Sequence, residues 1–330
     1  THTQTLEAPP AFSEMKPEHA SPAPGPLPLA ERAVTLAVIL LPVVGLVAAV
    51  VYAWGWGVGW TEVALMLGMY IATGLGITVG FHRLFTHCSF TTGPVVTAVF
   101  GVLGSMAFEG PLLRWVAYHR CHHQHSDNDQ DPHSPHHHGT GVVGVLRGFF
   151  NAHMGWMLLR SQHESNLDRY IKDFKKNRLV TWISGAFPLW SAVSLLFPAL
   201  IGGLISMSWT GVLLGFLWGG LVRILVVHHI TWSVNSVCHL WGTRPYEAHD
   251  ESRNNPIVGV LAFGEGWHNN HHAFPTSARH GLAWWQFDTS YIVIRVLALL
   301  GMADNIRLPK PERVLARRRS PRTRATQHHT

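Results

Sequence analysis

Histidines occur in three closely spaced groups along the chain. The segments HRLFTH (82–87), HRCHH (119–123) and HNNHH (268–272) hold two, three and three of them, and a further one, His239, follows Asn235 by four residues in NSVCH. In the second and third groups the histidines lie at i, i+3 and i+4, a spacing that places three imidazoles on one face of a helix. This repetition predicts a shared binding site rather than a chance enrichment of one loop.

Imidazole nitrogen is a borderline ligand that binds zinc, copper, iron and nickel. Nine histidines exceed the roughly four to six ligands that one such ion accepts, so the pattern predicts two metal ions. The chain has no H-E-x-x-H motif, which argues against a zinc protease. It also lacks the pair of E-x-x-H motifs of soluble di-iron bundles. A pair of metals ligated almost entirely by nitrogen favours redox chemistry.

The elements that position these groups are predicted from the charge pattern. Only 13% of residues are charged, and residues 33–60, 63–81 and 179–222 form uncharged runs. A membrane-spanning helix needs about 20 residues, so the last run holds two spans that turn near residues 202–208. The sequence therefore predicts an all-α integral membrane protein with four transmembrane helices in two hairpins. The run at 88–108, broken by Gly93 and Pro94, is predicted to be an interfacial or buried helix.

The distribution of Lys and Arg predicts the orientation. The two short turns, near Gly57 and near Ser206, contain none, whereas residues 83–178 and the chain after Arg223 contain nearly all of them. By the positive-inside rule both termini and both long segments face the cytoplasm. All the histidine groups then lie on the cytoplasmic side, in a helical cap that carries a dimetal site. Residues 290–303 are predicted to form a short amphipathic helix at the same surface.

Three segments are predicted. Residues 1–31 are rich in Pro, Ala and Glu without periodicity and form a disordered tail; residues 32–304 form the membrane domain; residues 305–330 form a basic cytoplasmic tail. A basic tail beside anionic lipid explains the high pI without nucleic-acid binding. The three cysteines form no paired framework, which favours a reducing compartment.

The histidine segments, in this order, together with NSVCH, DPH (131–133) and GEGWHNNHHAFP (264–275), resemble the histidine boxes of the membrane fatty acyl-CoA desaturases of the stearoyl-CoA type. The resemblance covers roughly residues 35–315. It implies an oxygen-dependent reaction that inserts a cis double bond, at the delta-9 position of stearoyl- or palmitoyl-CoA. It implies two Fe ions, which Zn can replace on overexpression, and no catalytic residue beyond the metal centre.

The resemblance also implies which residues hold each iron. One iron would be bound by His82, His87, His119, His123 and His272. The other would be bound by His122, His239, His268 and His271, with Asn235 holding a water on it. The partners would be long-chain acyl-CoA, O2, membrane lipid and a separate electron donor of the ferredoxin or cytochrome type with its reductase. The chain shows no nicotinamide, flavin or haem-domain motif that would replace such a donor.

The resemblance further implies an apolar tunnel for the acyl chain that bends at Thr231 and Trp232. Tyr70 and Gly74, two to three helical turns before His82, are predicted to close its far end. Glu109 stands where the family commonly has Gln, so it either lines the tunnel in a neutral or paired state or turns to the surface. Trp232 as an interfacial aromatic residue and Gly74 as a helix-packing residue are the open alternatives.

Two other functions remain open at this point. Acyl-lipid desaturases and membrane fatty-acid or alkane hydroxylases share the same boxes. A histidine-rich metal transporter is the non-enzymatic alternative, although transporters place their ligands within the spans near the midplane. Of the remaining histidines, His228 and His229 are predicted to pack or hydrogen-bond near the membrane surface. Among the remaining histidines, His125 and His133 are the better candidates for hydrogen bonds to metal ligands.

Overall fold

The computed structural model describes residues 27–54, 58–159 and 164–319. Helices account for most of this part of the chain. The α-helices are α1 (Leu29–Ala53), α2 (Trp60–Leu75), α3 (Pro94–Ser105), α4 (Leu112–His125), α5 (Gly141–His153), α6 (Arg178–Gly185), α7 (Phe187–Ser206), α8 (Trp209–Gly215), α9 (Arg223–Leu240), α10 (Pro256–Leu261), α11 (His268–Ala273), α12 (Thr289–Leu299) and α13 (Pro311–Ala316). Two short strands, β1 (Thr91–Thr92) and β2 (Ala303–Asp304), pair antiparallel.

Four helical segments are long and apolar enough to cross a membrane: Leu29–Ala53, Trp60–Thr86, Phe187–Ser206 and Trp209–Leu240. They coincide with the four predicted spans. The predicted turn near Ser206 is present at Met207, which adopts a left-handed backbone conformation with φ 50°. The other predicted turn, near Gly57, lies outside the described residues.

Two of these segments include π-helix, in which the backbone bonds run from residue i to i+5. The second span continues α2 into a π-helix over Gly76–Thr86, and the fourth joins α8 to α9 through a π-helix over Phe216–Val222. The fourth segment has 32 residues, and at 1.5 Å per residue this corresponds to about 48 Å, compared with about 30 Å of hydrocarbon. The segment is therefore longer than the apolar layer is thick.

The run at 88–108, predicted not to cross the membrane, contains the 12-residue helix α3. This helix packs closely against the π-helical end of the second span, because a Cβ atom on Gly104 would overlap the ring of Phe81. Small residues allow helix backbones to approach in this way. The segment predicted as a short helix at 290–303 contains α12, which ends at Leu299, and β2 follows it.

The described part of the basic C-terminal segment is joined to the rest of the protein. The Arg307 amide donates to the Ser89 carbonyl oxygen at 2.8 Å, and the Arg319 amide donates to that of Pro245 at 2.9 Å. The Arg317 side chain donates to the Ala273 carbonyl oxygen at 2.5 Å, at the end of α11. Residues 305–319 thus contact the chain just after the first and the third histidine segments. Residues 1–26 and 320–330 lie outside the described residues, and α1 begins at Leu29.

Candidate metal centre

All nine predicted histidines gather into two groups, each with one ring nitrogen per residue within 4.8 Å of the others. The first group is His82, His87, His119, His123 and His271. The second group is His122, His239, His268 and His272. The side chain of every member is buried except that of His119, which is partly exposed.

The π-helix explains how HRLFTH contributes two residues to one group. His82 and His87 are five residues apart, and in an ordinary α-helix that spacing would separate their side chains by about 140°. In the π-helix the amide of His87 donates to the carbonyl oxygen of His82 at 3.1 Å. The two rings therefore lie on the same side, with centroids 4.7 Å apart.

Each three-histidine cluster divides its members between the two groups. On α4, Nε2 of His119 and His123 are 3.1 Å apart in the first group, while His122 faces the second. On α11, His268 and His272 face the second group and His271 faces the first. On each of these two helices, the histidines at i and i+4 thus lie in one group, and the remaining histidine lies in the other.

The division that the resemblance implied is wrong for two residues. It placed His272 in the first group and His271 in the second. In the structure Nε2 of His271 lies 3.0 Å from that of His82 and 2.9 Å from that of His123. His272 instead lies four residues after His268 on the same helical face, so these two share the second group.

Carboxylates hold the Nδ1 atoms of four of these histidines. The pairs are His82 with Glu265 at 2.5 Å, His122 with Asp131 at 3.0 Å, His239 with Asp127 at 2.8 Å and His272 with Asp250 at 2.5 Å. For His122, His239 and His272 the contact is a hydrogen bond, which fixes the proton on Nδ1 and leaves Nε2 as the ligand atom, whereas His82 and Glu265 are in close ion-pair contact. Burial alone raises the pKa of Asp131, but the attraction of His122 and His133 outweighs it and lowers that pKa.

The Nε2 atoms have the environment expected of metal ligands. The Nε2 atoms of His239 and His268 are 3.0 Å apart, and Nδ1 of His239 is hydrogen-bonded to Asp127. Within the described part of the chain, the buried Nε2 atoms of His122 and His272 have no hydrogen-bond partner. Burial and neighbouring histidines lower the pKa of His271 and keep it neutral, the form that binds metal. A cation in each group would satisfy these nitrogens, so the residues fit two metal ions.

Two buried arginines that were not among the predicted site residues support the histidines. Arg83 donates to Glu265 at 2.8 Å and to Asp288 at 3.1 Å. Arg120 donates to backbone carbonyl oxygens of the first histidine segment, including that of Thr86 at 3.0 Å. Each follows the first histidine of its segment, so the repeated His-Arg pair was the available signal.

Two histidines outside the nine lie next to the groups. The ring of His133 is 4.3 Å from that of His122, and both approach Asp131. A hydrogen bond from His133 to a metal ligand stays a prediction, since its Nδ1 has no hydrogen-bond partner among the described residues. The ring of His280 is 4.4 Å from that of His271 and shares Glu265 with His82. Nothing in the local sequence around His280 indicated this position.

A cavity of about 520 Å³ opens onto both histidine groups, since His82, His119 and His268 line it. All five residues predicted to contact substrate also line it: Tyr70, Gly74, Glu109, Thr231 and Trp232. Asn235 is part of the same wall, four residues before His239. Trp232 is 6% exposed, so it is not an aromatic residue of the outer membrane interface.

Glu109 faces the cavity and not the outer surface. Its Oε2 accepts a hydrogen bond from Trp115 at 3.2 Å, while its buried Oε1 has no partner among the described residues. Burial raises the pKa of Glu109 to about 7, and hydrogen bonds from Trp115 and Thr231 offset part of that effect. The carboxyl group is therefore near the midpoint of its titration at neutral pH.

Gly74 allows a close approach, but of a loop residue and not of a helix. A Cβ atom on Gly74 would overlap the ring of Phe263, which also lines the cavity. The same ring packs on Tyr70, with centroids 5.2 Å apart, and the Tyr70 hydroxyl donates to the Leu261 carbonyl oxygen. Phe263 thus completes the wall that was predicted from Tyr70 and Gly74 alone.

Comparison with known proteins agrees with this geometry. Residues 56–298 match the fatty acid desaturase family. The hex-5-enoyl-[acyl-carrier protein] acetylenase of Moorena producens is 38% identical over 84% of this chain and 87% of its own length. The sn-1 stearoyl-lipid 9-desaturase of Anabaena variabilis is 40% identical over 76% of this chain and 85% of its own. The icosanoyl-CoA 5-desaturase of Limnanthes douglasii is 37% identical over 84% and 73%.

One of these relatives is named as an acetylenase and two as desaturases, and their names differ in the carrier and the position. The match covers the second, third and fourth spans and all three histidine segments. The match implies an oxidoreductase. The apolar helices and the two histidine groups that fit metal ions agree with it. The chain belongs to the fatty acid desaturase family.

Proposed function

We propose that the protein uses O2 to insert a cis double bond into a saturated long-chain fatty acyl group. The observation that carries this proposal is the cavity that runs to both histidine groups. The nine histidines would hold two irons, with Asn235 holding a water at the second group. When bound, the irons supply the oxidising chemistry that an unactivated methylene requires.

The chain's own part is to bind and orient the acyl group and to exclude water. The cavity walls at Tyr70 and Phe263 are aromatic, and Thr231 and Trp232 lie between that end and Asn235 on α9. An alkyl chain held there would present one carbon–carbon bond to the histidine groups. Holding that bond in place fixes its position of oxidation.

We propose an 18-carbon or 16-carbon acyl-CoA as substrate and position 9 as the bond oxidised. Tyr70 and Gly74 lie 12 and eight residues before His82, at most about 18 and 12 Å at the α-helical rise of 1.5 Å per residue, because the π-helix from Gly76 onward rises less per residue. About nine carbons beyond the oxidised bond fit that depth. A glycerolipid-bound acyl group is the second candidate, because the Anabaena relative is named for a stearoyl-lipid. The match to a desaturase family argues against the metal transporter.

We further propose that the spans form two hairpins, with both termini and a helical cap in the cytoplasm. The ends of Trp60–Thr86 and Trp209–Leu240 that carry His82 and His239 support this, because they meet at one site. A separate ferredoxin- or cytochrome-type donor would deliver electrons at that side.

The test is expression in a host that lacks desaturases and is fed labelled stearate. We expect labelled cis-9 product from the chain, none from a His268→Ala variant, and normal amounts from His138→Ala, whose ring lies in the loop after Asp131. Purified protein with a reductant and either stearoyl-CoA or stearoyl-glycerolipid then separates the two carriers. Hydroxylated product without alkene would contradict desaturation and favour the hydroxylase alternative.

A further inference from the structure

Three histidines outside the metal centre surround the indole of Trp232. The ring of His228 stacks on it with centroids 4.8 Å apart and an interplanar angle of 25°. The ring of His229 contacts it at 5.4 Å and that of His153 at 5.8 Å, both edge-on. Trp232 therefore has aromatic neighbours on several sides while one side lines the cavity.

The three histidines are themselves held by hydrogen bonds. Nε2 of His228 is 3.1 Å from the carbonyl oxygen of Ala107, just after α3. His153, at the end of α5, places Nδ1 2.9 Å from Oγ of Ser236 and Nε2 2.9 Å from Nδ1 of His229. The surroundings of Trp232 are thus tied to α5 and to the segment after α3, as well as to α9.

The proton arrangement of this network follows from Ser236. Its hydroxyl has one proton, which it donates to the carbonyl oxygen of Trp232 at 3.0 Å. Nδ1 of His153 must then donate to Ser236, so Nε2 of neutral His153 accepts from Nδ1 of His229. Each hydrogen bond from His229 through His153 and Ser236 to Trp232 then has a defined donor and acceptor. These bonds fix the orientation of the two imidazole rings as well as their positions.

A side chain enclosed in this way cannot change rotamer without displacing its neighbours. Trp232 is three residues before Asn235 and seven before His239 on the same helix, so its indole lies next to the part of the cavity that meets the metal centre. A small shift of the indole would change which carbon atoms of a bound acyl chain reach the histidines.

We propose that His153, His228 and His229 are positioning residues that hold Trp232 and thereby determine which carbon–carbon bond is oxidised. This inference rests on the proposed desaturase function. It assigns a role to three histidines that ligate no metal in either group. It also makes the position of the product double bond, rather than its amount, the property that these residues control.

The experiment expresses the His153→Ala, His228→Ala and Trp232→Phe variants in the same stearate-fed host and locates the double bond by mass spectrometry of derivatised fatty acids. The ratio of shifted isomers to the main isomer should rise about two- to tenfold in each variant. This is about the population change expected when the indole of Trp232 loses its preference for one rotamer. His138→Ala is the matched control and should keep the wild-type ratio. Isomer ratios are independent of the quantity of folded enzyme, so a loss of expression alone does not move them.

Two further variants keep the test decisive. His228→Phe keeps an aromatic ring against the indole but loses the hydrogen bond to Ala107, so its isomer shift should be smaller than that of His228→Ala. His229 is only half-buried, and His229→Ala is expected to fold and to shift the ratio even where the more buried variants yield no product. A wild-type isomer ratio in His229→Ala and in any other productive alanine variant would overturn the inference. Absence of product from the wild-type chain would instead contradict the proposed function.

Discussion

Nδ1 of His82 lies 2.5 Å from Oε2 of Glu265, a contact that joins the end of the second span to the segment that begins the third histidine group. The same carboxylate accepts from Arg83 at 2.8 Å. Glu265 therefore contacts a histidine of the first group although the two residues are far apart in sequence. Partners of this kind sustain metal affinity without contacting the metal.

Replacing Glu265 by Gln should weaken metal retention about 10- to 100-fold, because the negative charge beside Nδ1 of His82 is lost. The measurement is iron content per purified chain during titration with a chelator. Asp129→Asn is the control, since that side chain is 89% exposed. Equal chelator midpoints for Glu265→Gln and wild type would show that the contact does not support the metal.

His122→Ala should abolish turnover and lower the metal content from about two ions per chain to about one, because it removes one of four nitrogens from the second group. Elemental analysis and product formation are measured on the same preparation. Size-exclusion chromatography in detergent checks that the variant remains folded. Full activity in this variant would rule out the two-metal assignment.

Glu109 makes activity depend on pH. Its pKa is raised to about 7 by burial, so the carboxyl is neutral below that pH and becomes charged above it. A charge in the apolar cavity opposes binding of an alkyl chain. Wild-type turnover should fall as pH rises through about 7, and Glu109→Gln, which stays neutral, should lack this fall. The difference between the two pH profiles removes contributions from other groups, and identical profiles would exclude this role.

Gly74→Ile should shorten the cavity by pushing the ring of Phe263 into it, since even a Cβ atom at this position overlaps that ring. The product ratio from equal amounts of 16- and 18-carbon substrate should shift toward 16 carbons. Adding Phe263→Ala should reverse the shift by giving the new side chain room. If the double variant keeps the single variant's preference, the two residues do not act on a common wall.

The spans and the nine histidines were predictable because their signals are local. An uncharged run such as 179–222 predicts membrane helices by its length, and the i, i+3, i+4 spacing of His119, His122 and His123 predicts a common face. The match to known desaturases confirmed the family. The roles of Tyr70, Gly74, Glu109, Thr231 and Trp232 toward substrate stay predictions, although all five line the cavity.

What could not be predicted depends on contacts between distant parts of the chain. Asp127 and His239 are 112 residues apart and meet at 2.8 Å. The reversed assignment of His271 and His272 is different, because a local signal existed: the i, i+4 spacing that places His119 with His123 also places His268 with His272. Phe263 was missed because its role arises only from a left-handed loop that folds against α2.

The π-helix at Gly76–Thr86 limits how this motif could be transplanted. His82 and His87 share one side only because the backbone there accommodates an extra residue in each turn. If the segment HRLFTH were placed in a regular α-helix, its two imidazoles would point about 140° apart. To obtain this ligand pair in an α-helical scaffold, a designer must either delete one residue between the two histidines or build the π-helix together with the segment.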